Sequence, residues 1–464
     1  MRNIATILAV LAIGLVTCHQ RTTSKRTSLP TATYLFFLKP GYVKPMVQKA
    51  FFKSGNLALD DKNKTQVETV RKQVRDSVIA FIRSHSLPED SLTVYTDVVA
   101  GFAINLDSVT ANALGKDSDV QFFAKDAAIE GRPIQQGRPI QQDMTIEKDD
   151  ENEMQEWGFR APKLINGDSV WTSCAIQRAG GARSPKDTTK RIWIVDTGIA
   201  TRNIHLKVDK RFARNFTAIN GNVDPLAYED ENGHGTMVAG VAGAKEIIWN
   251  ETTTPKKKIV AGVSIGAGVI PIKVLGKDGA GRWKWVVDGL EHIAGSRRTK
   301  DVVNLSLGDL VPKNTDCATR IEGLALAIEN LANEMEHYVV IATGNDGRTV
   351  SRSLPACIRF NDPNERIFLI AAATCDKQCV LFSNYGPRAD FVAVGTDVFS
   401  TYNVEHVPGK WQFFVASGTS LSAAVVSGII HSSALPPKGV KSVRCKPADN
   451  DEPNRGQFKY AARR

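Results

Sequence analysis

The sequence predicts an α/β fold built on a doubly wound parallel sheet, preceded by a small α+β domain. From residue 191 onward, short apolar runs of strand length alternate with longer stretches of helix length. Chains that alternate in this way form right-handed crossovers and a parallel sheet covered on both faces. Residues 32–126 follow a different pattern, in which apolar strands accompany two helical segments. That pattern suits a small open-faced sheet with helices on one side.

The first 18 residues are typical of a secretion signal. Met1–Cys18 has a charged start and an apolar run of about 13 residues, which is too short to span a bilayer. Leu15–Cys18 also resembles a bacterial lipoprotein cleavage box, in which Cys18 would become the lipidated N-terminus. We therefore expect a secreted, extracellular protein without a transmembrane segment. The alternative is a cell-surface or outer-membrane lipoprotein with a lipid anchor at Cys18.

The predicted α+β domain spans residues 32–130. Its strands are Ala32–Leu38, Val98–Leu106 and Val120–Ala124, and its short helix is Val109–Leu114. A longer helix carries one apolar stripe, made by Val67, Val70, Val74, Val78 and Phe81. Residues 131–154 are predicted to be a linker, because Gly131–Gln136 is repeated as Gly137–Gln142 and an acidic run follows. Low-complexity chain with prolines stays extended and exposed, so we expect processing there.

The next unit spans residues 155–435 and contains the parallel sheet. Its predicted strands are Arg191–Val195, Gly268–Leu275, Asp301–Leu307, Tyr338–Thr343, Ile367–Ala373 and Phe391–Val394. Its predicted helices are Trp283–Ala294 and Thr319–Glu336, and two further helices of small residues begin near His234 and Ser420. Residues 436–464 are predicted to be a polar, basic tail outside this domain.

Charge and cysteine content argue against several classes of function. The formal net charge of +10 is spread out, without the aromatic interleaving or motifs of nucleic-acid-binding proteins, so no nucleic-acid partner is expected. Of the seven cysteines, six remain apart from Cys18, which suggests up to three disulfides among 15 possible pairings in an exported chain. Cys375 and Cys379 raise zinc as the alternative, but no second Cys/His pair with metal spacing follows.

Four polar residues stand at strand ends or helix starts. Asp196 follows a buried strand, at the edge where open α/β sheets place their chemistry, and Asn345 ends a later strand. His234 lies between two glycines at the start of a helix. Ser420 opens an apolar helix, where unpaired N–H groups and the helix dipole would stabilise an oxyanion. Taken alone, Ser420 would be part of a helix cap and His234 a structural histidine, because a serine nucleophile requires a base.

Together, the four residues resemble the catalytic set of the subtilisin-like serine proteases, in which Asp, His and Ser follow one another along the chain. Further motifs agree, and the resemblance extends from about Trp157 to Ala434. These motifs are Val302–Gly308, Leu354–Cys357 and Phe382–Gly386. Asp196-Thr-Gly also occurs in aspartic proteases, but those enzymes need a second copy and this chain has none.

The resemblance implies a serine endopeptidase that hydrolyses proteins or peptides through an acyl-enzyme intermediate. Asp196, His234 and Ser420 would be catalytic, and Asn345 would bind the oxyanion. Substrate would lie as an added strand along glycine-rich edges. The residues implied in substrate binding are Gly279, Gly281, Ser306, Leu307, Gly308, Thr343 and Gly344. No acid lies in the stretches flanking the first specificity pocket, so we expect a broad, apolar-tolerant enzyme. The alternative is an inactive relative that binds peptides or inhibits.

The resemblance also implies a zymogen. Residues 32–130 would be an inhibitory propeptide whose end, near Phe122–Ile129, occupies the substrate cleft as a strand; an independent binding module is the alternative. No cofactor is expected to be required. Family members often bind structural calcium through an aspartate after the Asp-Thr-Gly motif, and Asn203–Leu206 lacks that ligand here.

Overall fold

The computed structural model describes residues 30–39, 61–131, 137–141, 159–165, 168–218, 223–250, 257–312, 317, 322–402, 412–444 and 457–463. The predictions on the signal peptide 1–18, on Cys18 and on most of the linker 131–154 lie outside these residues. Among the residues described, no helix combines the length and the apolar character needed to cross a bilayer.

Residues 31–125 form an antiparallel sheet with two helices. The strands are β1 (Thr31–Leu38), β2 (Thr93–Tyr95), β3 (Gly101–Asp107) and β4 (Val120–Lys125), in the order β2-β3-β1-β4. The helices are α1 (Asp61–Ser84) and α2 (Ser108–Leu114). Val78 and Phe81 of the predicted apolar stripe pack with Phe36 and Phe102 in a hydrophobic cluster of their own. The apolar stripe of α1 therefore holds this helix on the sheet.

The remaining elements follow in chain order. The helices are α3 (Cys174–Arg178), α4 (His234–Gly243), α5 (Trp283–Gly295), α6 (Glu322–Asn333) and α7 (Thr419–Ser433). The strands up to residue 273 are β5 (Ala128–Gly131), β6 (Gly137–Gln141), β7 (Phe159–Ile165), β8 (Asp168–Ser173), β9 (Arg191–Asp196), β10 (Lys207–Val208), β11 (Arg214–Asn215), β12 (Glu246–Asn250), β13 (Lys257–Val260) and β14 (Gly268–Lys273). The later strands are β15 (Ala280–Arg282), β16 (Val302–Leu305), β17 (Leu307–Leu310), β18 (Tyr338–Ala342), β19 (Ser353–Leu354), β20 (Ile367–Ala373), β21 (Phe391–Val394), β22 (Val398–Tyr402), β23 (Gln412–Ala416), β24 (Lys438–Arg444) and β25 (Gln457–Ala462).

The main sheet has ten strands and is parallel through its centre. Its order is β10-β14-β9-β16-β18-β20-β21-β25-β24, with β11 also paired to β14. Every residue of β14 and β20 is buried. Because successive side chains of a strand point to opposite faces, both faces of the sheet must be covered. The predicted doubly wound α/β fold is confirmed.

Two helices of small residues bring the site together. α4 and α7 pack against each other, and both lie on the central strands of the sheet. Nearly all of their residues are buried, and most of these side chains are small. Small side chains allow the two helices and the sheet to approach closely. The start of each helix is thereby held near the carboxyl ends of the central strands.

The structure differs from the prediction at residues 436–464. β24 and β25 extend the main sheet, and β25 runs parallel to β21. Tyr460 is buried, and Arg463 donates a hydrogen bond to Ser432 Oγ at 2.7 Å, near the end of α7. The polar composition of the segment concealed the short run Phe458–Ala462, which has the length and apolar content of a strand. This part of the chain therefore contributes to the catalytic domain.

Disulfides are present, as predicted. Cys174 is joined to Cys375 and Cys317 to Cys357, with Cα–Cα distances of 5.9 and 6.0 Å. Cys379 is also disulfide-bonded, whereas Cys445 lies outside the described residues. Because Cys375 and Cys379 each take part in a disulfide, neither can be a thiolate ligand of zinc. The zinc alternative is therefore wrong for these two residues.

Tyr460→Ala should lower the free energy of unfolding by about 3–5 kcal/mol, because it removes a buried ring and leaves a cavity. Tyr460→Phe is the matched control. The hydroxyl finds no hydrogen-bond partner among the described residues, so its removal should leave stability unchanged or slightly raised. Urea unfolding of both variants measures the difference, and an alanine variant as stable as the parent would contradict the packing of β25 described above.

Candidate active site

Asp196 and His234 form a buried, hydrogen-bonded pair. Asp196 is the last residue of β9 and His234 is the first residue of α4. His234 Nδ1 lies 2.7 Å from Asp196 Oδ1. Because the carboxylate accepts, the neutral imidazole carries its proton on Nδ1 and keeps its lone pair on Nε2. Nε2 is buried and has no hydrogen-bond partner among the described residues, so this lone pair is available as a base.

The surroundings of His234 favour its charged form. Burial alone would disfavour the imidazolium, but the negative charge of Asp196 and its hydrogen bond, together with the charge of Asp230, outweigh burial. The pKa of His234 therefore lies above its usual value.

Ser420 is the second residue of α7, where its backbone N–H has no acceptor within the helix. Its hydroxyl donates to the carbonyl of Ser306 at 3.5 Å, which is a long hydrogen bond. The hydrogen bonds of the described residues include none between Ser420 and His234. Catalytic hydrogen bonds are often absent or long in a structure without substrate and tighten only when substrate binds.

Asn345 is oriented by Thr419. Its side-chain oxygen accepts from the Thr419 N–H at 2.9 Å and from Thr419 Oγ1 at 2.8 Å. Because the oxygen is held by the start of α7, the amide nitrogen points away from Thr419; a Cβ built on Gly418 would lie 3.4 Å from that nitrogen. The amide nitrogen of Asn345 therefore lies close to the start of α7, and an N–H donor near the start of a helix could take part in binding an oxyanion.

The two edges predicted to bind substrate are bridged by a strand of the same chain. β5 lies between β15 and β17 and is antiparallel to both. Gly281 pairs with Ile129, and Gly308 pairs with Glu130. Ile129 is buried. The strand therefore takes the pairing positions that an extended peptide would use.

The other predicted substrate-binding residues lie around the same cleft. Leu307 continues the pairing with β5, and Ser306 precedes it. Gly279 lies directly before β15. Its φ is +77°, a backbone conformation in which a residue with a side chain would be strained. The Thr343 carbonyl accepts from a side chain of β19, and the Gly344 N–H donates to Thr419 at 3.2 Å. The structure thus brings all the predicted site residues to one region.

A strand from the predicted linker, β6, also lies beside the site. β6 is antiparallel to β23, with Gly137 opposite Ala416, and β23 ends shortly before Ser420. The repeated Gly-Arg-Pro-Ile-Gln-Gln has the composition of a low-complexity linker, which conceals this pairing in the sequence. Residues 132–136, which connect β5 to β6, lie outside the described residues.

Two buried charged residues, Asp230 and Lys273, lie beside the Asp196–His234 pair and are not among the residues predicted from the sequence. Asp230 stands in a Glu-Asp-Glu-Asn-Gly turn four residues before His234, where a carboxylate can cap backbone N–H groups. Lys273 ends an apolar strand, and a lysine there needs partners because burying an unpaired charge is costly. The acidic turn before His234 and the lysine at the end of an apolar strand are both visible in the sequence.

After the Asp-Thr-Gly motif, the side chain of Asn203 is engaged within its own loop. The side-chain oxygen of Asn203 accepts from the His205 N–H at 3.0 Å. Burial lowers the pKa of His205 to about 4. Within the described parts of the chain, no group of three or more His, Cys, Asp or Glu side chains could hold a metal ion. That the protein requires no cofactor remains a prediction.

Comparison with known proteins gives a consistent result. Residues 189–433, more than half of the chain, match the Subtilase family. The chain is 30% identical over 277 residues to an intracellular serine protease of Paenibacillus polymyxa, a match that covers 58% of this chain and 71% of that protein. It is 28% identical to the major intracellular serine protease of Bacillus subtilis, covering 61% of this chain and 75% of that protein. An extracellular protease of Xanthomonas campestris is 33% identical, covering 42% of this chain and 32% of that protein.

If His234 is the base, hydrolysis of a peptide substrate should rise with pH through one ionisation, and the midpoint should lie above that of an ordinary histidine. The base must be neutral, and a raised pKa keeps His234 charged, hence inactive, up to a higher pH than a free histidine. The dependence of kcat/KM on pH measures this midpoint, with circular dichroism as a control for unfolding. An optimum near pH 4 would instead support a carboxylate mechanism.

Proposed function

The chain belongs to the Subtilase family and is a serine endopeptidase, and we propose that Asp196, His234 and Ser420 are its catalytic residues. The observation that supports this most directly is the buried 2.7 Å contact between Asp196 and His234. The helix that begins with His234 packs against the helix that presents Ser420. Nucleophile, base and orienting carboxylate are thus available in one place.

In the acylation step, Ser420 Oγ attacks the carbonyl carbon of the scissile bond while its proton passes to His234 Nε2. Asp196 holds Nδ1 and stabilises the imidazolium that forms. The carbonyl oxygen becomes an oxyanion and accepts hydrogen bonds from the amide of Asn345 and the N–H of Ser420. The C–N bond then breaks, the amine leaves with the proton from His234, and an ester joins the acyl group to Ser420.

Water completes the cycle. His234 takes a proton from water as the water oxygen attacks the ester, and the oxyanion forms again beside Asn345. When the ester bond breaks, the proton on His234 returns to Ser420 Oγ. The acid product leaves, and both residues recover their starting protonation states.

Substrate binds as an extended strand between β15 and β17, in the position that β5 takes in the structure. Pairing through backbone groups gives affinity with little sequence choice. The first specificity pocket lies between Leu307-Gly308 and Thr343-Gly344, and neither stretch contains an acid that would select basic residues. These features support a broad, apolar-tolerant endopeptidase.

On the same proposal, the N-terminal α+β unit acts as an inhibitory propeptide. The first observation that supports this is the position of β5 in the cleft. A second support is the contact with α5, where Glu291 accepts hydrogen bonds from the backbone N–H groups of residues 96–98. Asp126 also accepts from Arg282 Nε at 2.6 Å. A segment bound in this way blocks the cleft until the linker is cut.

Secretion completes the proposal. Met1–Cys18 supports export, and the disulfides suit an oxidising compartment. The relative from Xanthomonas campestris is described as extracellular, whereas the relative from Paenibacillus polymyxa is described as intracellular. A lipid anchor at Cys18 is the alternative to a freely secreted protein, and labelling of cells with radioactive palmitate distinguishes the two.

Ser420→Ala should abolish peptide hydrolysis, with a loss in kcat of order 10⁶, while the fold is kept. Ser427→Ala is the matched control, because Ser427 lies on the same helix and donates only to Asn304, at 3.0 Å. A fluorophosphonate probe should label the parent protein and Ser427→Ala but not Ser420→Ala. Turnover by a pure Ser420→Ala protein would remove Ser420 from the mechanism, and a parent protein that is neither active nor labelled would favour the inactive relative.

Residues 30–131, added as a separate polypeptide to the cleaved enzyme, should inhibit hydrolysis competitively at submicromolar concentration. Asp126→Ala in that polypeptide should weaken inhibition about tenfold or more, because it leaves Arg282 without its partner. Glu89→Ala is the matched control, since this exposed carboxylate pairs with Arg83 inside the unit. The inhibition constant measures the effect. Absence of inhibition, together with normal cleavage of the Ser420→Ala precursor, would make the unit an ordinary binding domain.

A further inference from the structure

Two buried residues of opposite charge connect the segments that carry Asp196 and His234. We propose that Asp230 and Lys273 are positioning residues, which hold the Asp196–His234 pair in register and set through their charges the pH range in which His234 acts as a base. This inference rests on the function proposed above for His234.

Asp230 accepts hydrogen bonds with both carboxylate oxygens. Oδ1 accepts from Thr197 Oγ1 and from the N–H of Gly233, each at 2.8 Å. Oδ2 accepts from the N–H and the hydroxyl of Thr236, at 2.9 and 2.6 Å. Thr197 directly follows the catalytic aspartate, and Gly233 and Thr236 flank the catalytic histidine. One carboxylate therefore ties the turn after β9 to the first turn of α4.

Lys273 fixes the same turn from the neighbouring strand. It is the last residue of β14 and pairs in register with Asp196. Its side chain is 3% exposed, and its ammonium group donates to the Thr197 carbonyl at 2.6 Å. Burial lowers the pKa of Lys273, and the neighbouring carboxylates, Asp230 first and then Glu231, act in the opposite direction. A buried cation thus lies against the turn that presents Asp196.

The two charges act on His234 in opposite directions. A nearby anion stabilises the imidazolium, and a nearby cation destabilises it. Asp230 raises the pH at which His234 becomes neutral. The Lys273 ammonium interacts with Asp230 and Asp196, so we expect it to offset part of their stabilisation of the imidazolium and to lower that pH. The other titratable groups that face these residues are Asp196 on β9, Glu231 before α4, Asp278 before β15 and Tyr402 on β22.

Asp301 offers a matched comparison elsewhere in the same sheet. It is a fully buried carboxylate that accepts from Trp193 Nε1 at 2.9 Å and from Arg298 Nε at 2.5 Å. It also accepts from the N–H of Arg191 at 3.0 Å. Arg191 begins β9, so Asp301 lies at the opposite end of this strand from Asp196.

The test is the pH dependence of kcat/KM for Lys273→Met, Asp230→Asn and Asp301→Asn, all in the full chain. Lys273→Met should move the midpoint of the acid limb to higher pH and Asp230→Asn to lower pH, each by roughly 0.5–1 pH unit. Asp301→Asn should lower the melting temperature without moving the midpoint. Shifts of opposite sign cannot arise from a shared loss of structure.

A folded, active Lys273→Met protein with an unchanged midpoint would overturn the proposal, and so would shifts in the same direction for both variants. If Asp230→Asn does not fold, Lys273→Met decides alone. The rate of fluorophosphonate labelling against pH gives a second measure of the same ionisation. Ser420→Ala is measured alongside: if it remains active, the proposed function fails, whereas an inactive Ser420→Ala with unmoved midpoints rejects only the role of Asp230 and Lys273.

Discussion

The site depends on the register of the central parallel strands. β9 lies between β14 and β16, with Asp196 opposite Lys273 and Val195 opposite Leu305. A slip of one residue would exchange the two faces of β9 and turn Asp196 away from His234. Glycine contacts keep the same geometry: a Cβ on Gly235 would lie 2.1 Å from the carbonyl oxygen of Gly198. A side chain at position 235 would therefore prevent the turn after β9 from contacting the start of α4 as it does.

The residues proposed to be catalytic could be selected from the sequence because each has a chemical requirement that sequence displays. A serine at a helix start, a histidine between glycines and an aspartate at a strand end are local patterns, and their order along the chain matches a known family. The residues that support them are defined by partners far away. Lys273 binds the carbonyl of Thr197, 76 residues earlier, and nothing near Lys273 in the sequence indicates that contact.

Composition conceals two strands, one on each side of the catalytic domain in the sequence. β6 lies in a repeat rich in Gly, Pro and Gln, and β25 lies in a polar segment, so neither was assigned as a strand. Each is stabilised by an existing edge: β6 pairs with β23, and β25 pairs with β21. Neither segment shows a long alternating apolar pattern, because backbone hydrogen bonds to strands distant in the sequence supply much of its order. Strands of this kind are therefore the elements that sequence pattern predicts least well.

The cleft is filled by a strand of the chain that forms it. While β5 remains covalently connected, its effective concentration at the cleft is on the order of millimolar, whatever the concentration of the protein. On the proposed mechanism, cutting the linker turns this strand into a separate molecule whose occupancy depends on total protein concentration. At high total protein concentration the cut strand would stay bound and the enzyme would stay inactive. After dilution the strand would dissociate and the enzyme would become active. Dilution, as well as cleavage, then determines when hydrolysis begins.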